Sequence, residues 1–417
     1  MKTINKIQNT HKIPPLATTI VCASLLSAVY YSFYIFNASL ISDVVLYILM
    51  VIVELYVLII MIFSWWTILF HDAGSVSFND YSSRNFFRRG YKPSVAIIYT
   101  CVHESIDVIN AGLKALSEMK GDYVVYIGDD GARPEVEKLA RKYGAIYKTR
   151  QTRKFFKAGN INNILKELTE DFIAVFDSDH HPTSNFLTET LPFFSDEKVG
   201  FVQCPQYYTN TDNIISIGSS GAQSIFYELI MPGKNSFNSA ICVGTNVIFR
   251  REALLDSTDG KIYELEHSED IHTGLSLHEH GWKSIYIPKI LATGLAPDTI
   301  SMFFKQQERW ARGGFNILFF RNPIFMKGLA LEQKVQYLFS ALHYFSGFAI
   351  LYYLLIPVLF LLTETKPLKT TDSLYWLAHF APFFISKFLL LFYLVEKFDL
   401  SVISTSLSLF PVYIKAF

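Results

Sequence analysis

Cysteine is scarce and unpaired in this sequence: Cys22, Cys101, Cys204 and Cys242 are four in 417 residues. None stands in a Cys-x-x-Cys pair, so neither a disulfide framework nor a thiolate zinc site is indicated, and a reduced, cytosolic middle fits. Neither sign of charge is in excess, with Lys+Arg and Asp+Glu both at 37, which leaves no footprint for nucleic acid. Internal repeats and low-complexity linkers are absent. The most informative absence is local. Leu16–Ser42 carries no charge at all, and Val44–Phe70 carries only Glu54.

Such runs are long enough to cross a bilayer. The first is too long for a signal-peptide core and lacks a clear cleavage site. The loop between them, Asn37–Asp43, has no Lys or Arg, whereas Arg84, Arg88, Arg89 and Lys92 follow the second run. The positive-inside rule therefore places the N-terminus, with Lys2, Lys6 and Lys12, and the middle of the chain in the cytoplasm. Glu54, near mid-bilayer, suits a functional carboxyl or one bonded to a neighbouring helix. Leu338–Leu362 and Leu374–Val395 are two further spans. Ser301–Phe320 mixes apolar residues with Lys305, Arg309 and Arg312, the pattern of an amphipathic interfacial helix, and Ser401–Phe417 is amphipathic too. The high hydrophobic share, 51%, is thus concentrated at the two ends.

The division this implies is a cytosolic tail at 1–15, two transmembrane helices at 16–70, and a cytosolic α/β domain at 71–300. An interface helix follows at 301–330, then two transmembrane helices at 331–396 and an amphipathic segment at 397–417. In the middle, strands at Val95–Tyr99, Tyr123–Ile127, Ala145–Thr149, Phe172–Phe176 and Val199–Cys204 alternate with helices at Ser105–Met119, Pro134–Tyr143, Asn160–Leu168 and Asn185–Phe194. That alternation predicts a parallel, Rossmann-like sheet. Beyond it lie a helix near Ile214–Ile230, a strand near Val243–Phe249, a helix from Asp270 to His280 and a strand near Lys283–Ile287.

Phe172–Phe176 is apolar without alternation, as suits a strand buried on both faces. It ends in Asp177-Ser178-Asp179. Ligands in open α/β sheets bind at the carboxyl ends of strands. Two carboxylates one residue apart repel unless a cation lies between them, and a hard divalent ion takes both while keeping phosphate oxygens. A metal–diphosphate site and a solvated turn are both consistent with that motif alone. Asp129-Asp130-Gly131 is a second acidic strand end facing the same crevice, suited to a base or ribose, or to a tight turn.

Lys157-Ala158-Gly159-Asn160 opens a helix, where free N–H groups, the dipole and a full charge suit a phosphate; the alternative is a basic loop with Arg150, Arg153 and Lys154. Ser268-Glu269-Asp270 also opens a helix. Asp270 there is a helix cap or a general base for an acceptor hydroxyl. Arg309 in Gln306-Gln307-Glu308-Arg309-Trp310 can hold a leaving diphosphate and Trp310 can stack on a sugar; a snorkelling Arg beside an interfacial Trp is the alternative.

Together, Asp129-Asp130-Gly131, Lys157-Ala158-Gly159-Asn160, Asp177-Ser178-Asp179-His180, Gly244-Thr245-Asn246, Ser268-Glu269-Asp270 and Gln306-Gln307-x-Arg309-Trp310 resemble, in order, the processive family 2 glycosyltransferases of the bacterial cellulose synthase kind. Hyaluronan and chitin synthases are more distant relatives. The resemblance covers Ser94–Phe320, and the flanking spans agree in layout. It implies a cytosolic GT-A (Rossmann-like) glycosyltransferase domain flanked by transmembrane α-helices, in a multi-pass protein of the plasma or inner membrane. The activity it implies is inverting polymerisation of a UDP-sugar, foremost UDP-glucose, into an exported β-linked polysaccharide, with Mg2+ or Mn2+. A non-processive transferase to a lipid acceptor, or a synthase of another β-glycan, is the alternative.

By position, Glu104, Asp129 and Asp130 would serve the nucleoside, and Lys157, Gln306 and Arg309 the diphosphate. Asp177 and Asp179 would hold the metal, with Asp177 also on the donor. Asp270 would be the base, and Trp310, Gly244 and Thr245 would border the acceptor. The expected partners are a UDP-sugar donor, the growing polysaccharide, the lipid bilayer, and an accessory export subunit or a second copy of the chain; nucleic acid is not among them. Three departures stand out. Cys101-Val102-His103-Glu104 replaces the family's Thr/Ser-Tyr-Asn-Glu, Cys242-Val243-Gly244 replaces Phe-Cys-Gly, and Ser268 replaces Thr.

Overall fold

The computed structural model describes residues 14–70, 92–265, 268–369, 372–395 and 399–417. The lysines of the N-terminal tail and Arg84, Arg88 and Arg89 lie outside those residues. The chain begins with two long helices, α1 (Pro15–Ile35) and α2 (Val44–Leu69). Asp43 starts α2 by accepting a hydrogen bond from the Leu46 N–H at 2.8 Å, the usual way of satisfying a free amide at a helix start.

The α/β region then runs β1 (Val95–Cys101), α3 (Ile106–Ser117), β2 (Val124–Asp129), α4 (Pro134–Lys142), β3 (Ile146–Lys148), α5 (Phe156–Leu165) and β4 (Phe172–Asp177). It continues with β5 (His181–Pro182), α6 (Phe186–Thr190), β6 (Val199–Gln203), β7 (Tyr207–Tyr208), α7 (Ile214–Ile225), α8 (Met231–Ser236), β8 (Val247–Arg250), α9 (Arg251–Thr258), α10 (Glu269–Glu279), β9 (Lys283–Tyr286) and β10 (Ala292–Gly294). The last third comprises α11 (Ile300–Phe320), α12 (Leu331–Leu342), α13 (Ser346–Thr363), α14 (Ser373–Leu394), α15 (Leu400–Leu407) and α16 (Phe410–Ala416).

Seven strands form the main sheet in the order β3-β2-β1-β4-β8-β6-β9. All run one way except β8, which is antiparallel to both β4 and β6. The five alternating strands expected to form the parallel sheet, β1, β2, β3, β4 and β6, do run the same way, and β8, which the sequence placed beyond them, is inserted in reverse between β4 and β6. The strand expected from Val243 starts at Val247 instead, because Gly244 (φ +77°) and Asn246 (φ +53°) are left-handed, a backbone that breaks a strand. β5, β10 and β7 make a small second sheet; at two or three residues each, they leave no periodic signal to read.

Every residue of β1 is buried, and its two faces feed two cores. Val95, Ile97 and Tyr99 pack with Ile109 and Leu113 of α3 and Val136 of α4. Ala96 and Ile98 pack with Ile161 and Ile164 of α5, Leu254 of α9 and Leu277 of α10. Such double-sided burial is why the strand is uniformly apolar.

Four helices among the described residues are long and apolar enough to cross a membrane: Pro15–Ile35, Val44–Leu69, Leu331–Thr363 and Ser373–Leu394. The third starts seven residues before the expected Leu338, since α12 leads through the 3-10 turn His343–Phe345 into α13 without a polar break. Glu54 accepts hydrogen bonds from Tyr31 of α1 (3.3 Å) and Tyr353 of α13 (3.0 Å). The second of its two readings, a carboxyl bonded to neighbouring helices, is the one observed, and it joins three of the candidate spans. Where the spans meet the α/β region, buried Lys234 donates to the Gln336 carbonyl at 2.7 Å, and Gln336 Nε2 donates to Thr67 Oγ1 at 2.9 Å.

Candidate active site

β1, β2 and β4 lie side by side in register, with Cys101 opposite Asp129 and Thr100 opposite Asp177. Their carboxyl ends therefore open on one crevice, where two acidic motifs, Asp129-Asp130 and Asp177-Ser178-Asp179, stand one strand apart. Backbone strain gathers at the same edge: Ala132, Phe155, Phe156, Asn246 and Ser268 all have φ between 42° and 60°. Non-glycine residues hold such angles, at roughly 1–3 kcal/mol each, only where their surroundings fix them.

Asp177 ends β4, and its N–H donates to Thr245 Oγ1 at 3.0 Å. Its Oδ1 lies 2.5 Å from Lys157 Nζ. The same ammonium donates to the Gly244 carbonyl at 2.8 Å. Lys157 stands in the first turn of α5, which begins at Phe156, four residues before the expected Asn160. Burial works against the Lys157 charge, but Asp177, and behind it Glu269 and Asp270, outweigh it and hold the ammonium above its ordinary range.

Asp179 lies beside His180, with 3.0 Å between Oδ1 and Nδ1. Burial would raise the Asp179 carboxyl, and the His180 ring more than compensates, holding it low. Ligand atoms of Asp177, Asp179 and His180 lie within 4.8 Å of one another. The two carboxylates suit a hard divalent ion such as Mg2+ or Mn2+, with the His180 imidazole beside them. His180 is a member that reading the acidic pair alone leaves out. It is buried, and its ring fills the space in front of Gly294, where a Cβ would come within 2.6 Å of Nε2.

Gly244 links this group to Asp270. A Cβ at 244 would lie 3.0 Å from Asp270 Oδ2. Asp270 is the second residue of α10, and its Oδ1 accepts from the Ile271 N–H at 2.8 Å. The cap position is Ser268, whose side chain makes no cap bond, so the helix-cap alternative for Asp270 is not the one observed. Burial and the neighbouring Glu269 push the Asp270 carboxyl up to about 7, with Lys157 and Arg309 pulling the other way. A carboxyl with that affinity is poised to accept a proton near neutral pH.

The remaining residues fall around this centre. Asp129 is saturated: it accepts from the N–H of Gly131 (2.9 Å) and Arg133 (2.8 Å), from Arg133 Nη2 (3.0 Å) and from Tyr147 OH (3.0 Å). Burial would raise it, but the Arg133 and Gly131 bonds hold it below the ordinary range. Asp130 is gripped through both oxygens by Arg150 at 2.6 Å each. Arg133 lies only four residues beyond Asp129, whereas Arg150 reaches Asp130 from 20 residues away, a contact that spacing does not show. Glu104 accepts from the N–H groups of Val102 (2.7 Å) and His103 (3.1 Å) and shapes the loop after β1. Gln203, wholly buried, holds the 243–246 loop by donating to the Thr245 carbonyl and accepting from the Val243 N–H.

On α11, Gln306 Nε2 donates to Tyr208 OH at 3.4 Å. Arg309 is exposed and Trp310 half-buried; no salt bridge among the described residues engages Arg309. Gly313, one turn on, packs against Ser268, whose Oγ occupies the space a Cβ would need. The two motif-bearing helices α10 and α11 thus meet beside Asp270.

The family model described as Glycosyl transferase family group 2 matches residues 172–396, from β4 into the fourth span. The UDP-forming cellulose synthase catalytic subunit of Xanthomonas axonopodis pv. citri (strain 306) is 33% identical over 264 residues, covering 61% of this chain and 36% of that protein. That of Pseudomonas fluorescens (strain SBW25) is 32% identical over 281 residues, 65% of this chain and 38% of that protein. The chain spans little more than a third of the length of these curated relatives. A mannosyltransferase from Pyrobaculum calidifontis, solved with GDP-Man and Mn2+, superposes with a TM-score of 0.55 at 16% identity, covering 84% of this chain and 95% of that one. At that identity the likeness speaks for the fold.

Proposed function

The chain belongs to glycosyl transferase family group 2, and from that premise we propose that it is a membrane-embedded inverting glycosyltransferase, polymerising the sugar of a UDP-sugar, foremost UDP-glucose, into a cellulose-like β-linked polysaccharide that it exports. Its α/β domain has a GT-A-like fold. The observation that carries the reading is the contact of Asp270 with Gly244, whose carbonyl receives the Lys157 ammonium resting on Asp177. A raised carboxyl and a diphosphate-type cation site thus face each other across one glycine.

In this reading Asp270 takes the proton of an acceptor hydroxyl. The freed oxygen attacks the anomeric carbon, the bond to the diphosphate breaks on the opposite face, and an α-linked donor gives a β-linked product. The departing UDP carries the negative charge, and Lys157 and Arg309 balance it. Asp177, Asp179 and His180 would hold Mg2+ or Mn2+, which when bound supplies further charge stabilisation to the diphosphate. Asp129 and Asp130 shape the nucleoside side through Arg133 and Arg150, and Glu104 through the loop it closes. Gln306, Thr245 and Trp310 border donor and acceptor.

If all four candidate spans cross, both chain ends and the catalytic domain lie on one side. The charge pattern makes that side the cytoplasm. The domain division proposed from the sequence follows the same spans, with the third beginning at Leu331. Sugar-nucleotide turnover in membranes holding the protein tests the reading, with Asp270→Asn alongside. UDP release with a long product, lost in the variant, supports it; equal turnover in the variant refutes it.

A further inference from the structure

The helix that carries Asp270 is held along its length by a residue outside every motif. Arg321 closes α11. Its Nη1 donates to the His272 carbonyl at 3.0 Å, and its Nη2 to Ser276 Oγ at 2.8 Å and Glu279 Oε2 at 3.3 Å. Its guanidinium also lies 4.8 Å from the centroid of Tyr263, a ring stacked on His272. One planar fork thereby touches three successive turns of α10 and the segment that leads into it, a geometry a lysine cannot reproduce.

The same helix, α11, carries Arg309 twelve residues earlier and meets Ser268 at Gly313. So α10 is pinned to α11 at both ends. Asp270 lies at one end of that grip, and Arg309, whose charge it feels, projects from the gripping helix.

We propose that Arg321 is a positioning residue for the transfer reaction: it fixes the attitude of α10 on α11 and so the distance of Asp270 from Lys157 and Arg309. This rests on the reading of Asp270 as the base. The groups facing Asp270 are Glu269 on its own helix, Lys157 on α5, Arg309 on α11, Cys242 before Gly244, Tyr227, and Tyr344 from the third span. Loss of the Arg321 fork tilts α10 and changes these separations together.

The test is steady-state kinetics of the full chain in native membranes, per folded molecule, with UDP-glucose as donor. Wild type, Arg321→Met, Arg321→Lys, the double variant Ser276→Ala/Glu279→Gln and Asp270→Asn are compared between pH 5.5 and 9. Arg321→Met is expected to lower kcat about tenfold with donor KM within about twofold, on the scale of a small misplacement of a reacting group. It is also expected to move the acid limb of the pH–rate profile, with Arg321→Lys recovering part of both. The double variant, which keeps the arginine but removes the Ser276 acceptor and the charge of Glu279, is expected to move the limb the same way and stands in if Arg321→Met does not fold. A normal kcat per folded molecule with an unmoved limb in the folded variants overturns the inference, because Arg321 is then a structural brace alone. Undiminished turnover in Asp270→Asn, or no UDP-glucose turnover by wild type, instead overturns the reading it rests on, and the inference falls with it.

Discussion

Gly244 lies against Asp270 so closely that a methyl group on it would sit 3.0 Å from Oδ2 and 3.1 Å from Cβ of the carboxylate side chain. Gly244 is also left-handed, at φ +77°, where an L-residue costs roughly 1–2 kcal/mol. Gly244→Ala is therefore expected to push Asp270 aside and to strain the loop that receives Lys157. Turnover should fall by about tenfold or more, while the fold survives with a lowered melting temperature. Activity per folded molecule equal to wild type would show that the contact does not matter to the reaction.

Asp270 acts as a base only when ionised, and burial with Glu269 pushes its carboxyl up to about 7. Rate should therefore rise with pH through that value. Glu269→Gln removes one of the causes of the raised affinity, so the limb should move to lower pH. A pH–rate profile of the two proteins checks the direction; a shift upward contradicts the assignment.

The same group makes a stability prediction of opposite sign to its catalytic one. A carboxyl held at about 7 in the fold, against about 4 unfolded, favours folding below pH ~4, and that contribution is lost as pH rises through about 7. At pH 8 the ionised carboxylate counts against folding. Asp270→Asn should then abolish most turnover, by roughly 100-fold or more, without lowering the melting temperature at pH 8. A large drop in melting temperature would make the loss of activity a folding effect.

Asp130 and Arg150 form a two-point pair with side chains only 3% and 9% exposed. Removing one partner of such a pair leaves a buried charge and costs about 3–5 kcal/mol. Arg150 also donates to the carbonyls of Lys154 and Phe156, ahead of Lys157. Arg150→Gln should destabilise the domain in thermal unfolding and raise the donor KM more than it lowers kcat. An unchanged donor KM would separate this pair from the donor site.

Chelation by EDTA should stop turnover, and Mg2+ or Mn2+ should restore it. Asp179→Asn should require more metal for half-activation, since one of three ligand groups is weakened. Full activity in EDTA would remove Asp177, Asp179 and His180 from that role.

The sequence made the buried strands, the four long apolar helices and the order of the acidic motifs legible, because burial on two faces writes itself as an unbroken apolar run. Phe172–Phe176 and β4 agree almost residue for residue. The direction of β8 was not legible: a short apolar strand reads alike in either orientation, and only Gly244 and Asn246 signal the turn before it. Asp129-Asp130-Gly131 reads as a group for a base or ribose or as a tight turn, and neither reading reveals that Arg133, four residues on, binds Asp129 or that Arg150, 20 residues on, binds Asp130. Nor could spacing foresee that Gly313 admits Ser268 or that Arg321 reaches three turns of α10. Such contacts depend on how helices pack, which local pattern does not encode.

The most direct measurement is UDP release from UDP-glucose, UDP-GlcNAc and UDP-galactose, and GDP release from GDP-mannose, in membranes holding the wild-type chain or Asp270→Asn, with Mg2+ or Mn2+ and analysis of product length. Release of UDP from one donor with a long β-linked product, lost in Asp270→Asn, is the predicted result. Turnover undiminished in Asp270→Asn, or none with any donor, would contradict a transferase built around that carboxylate.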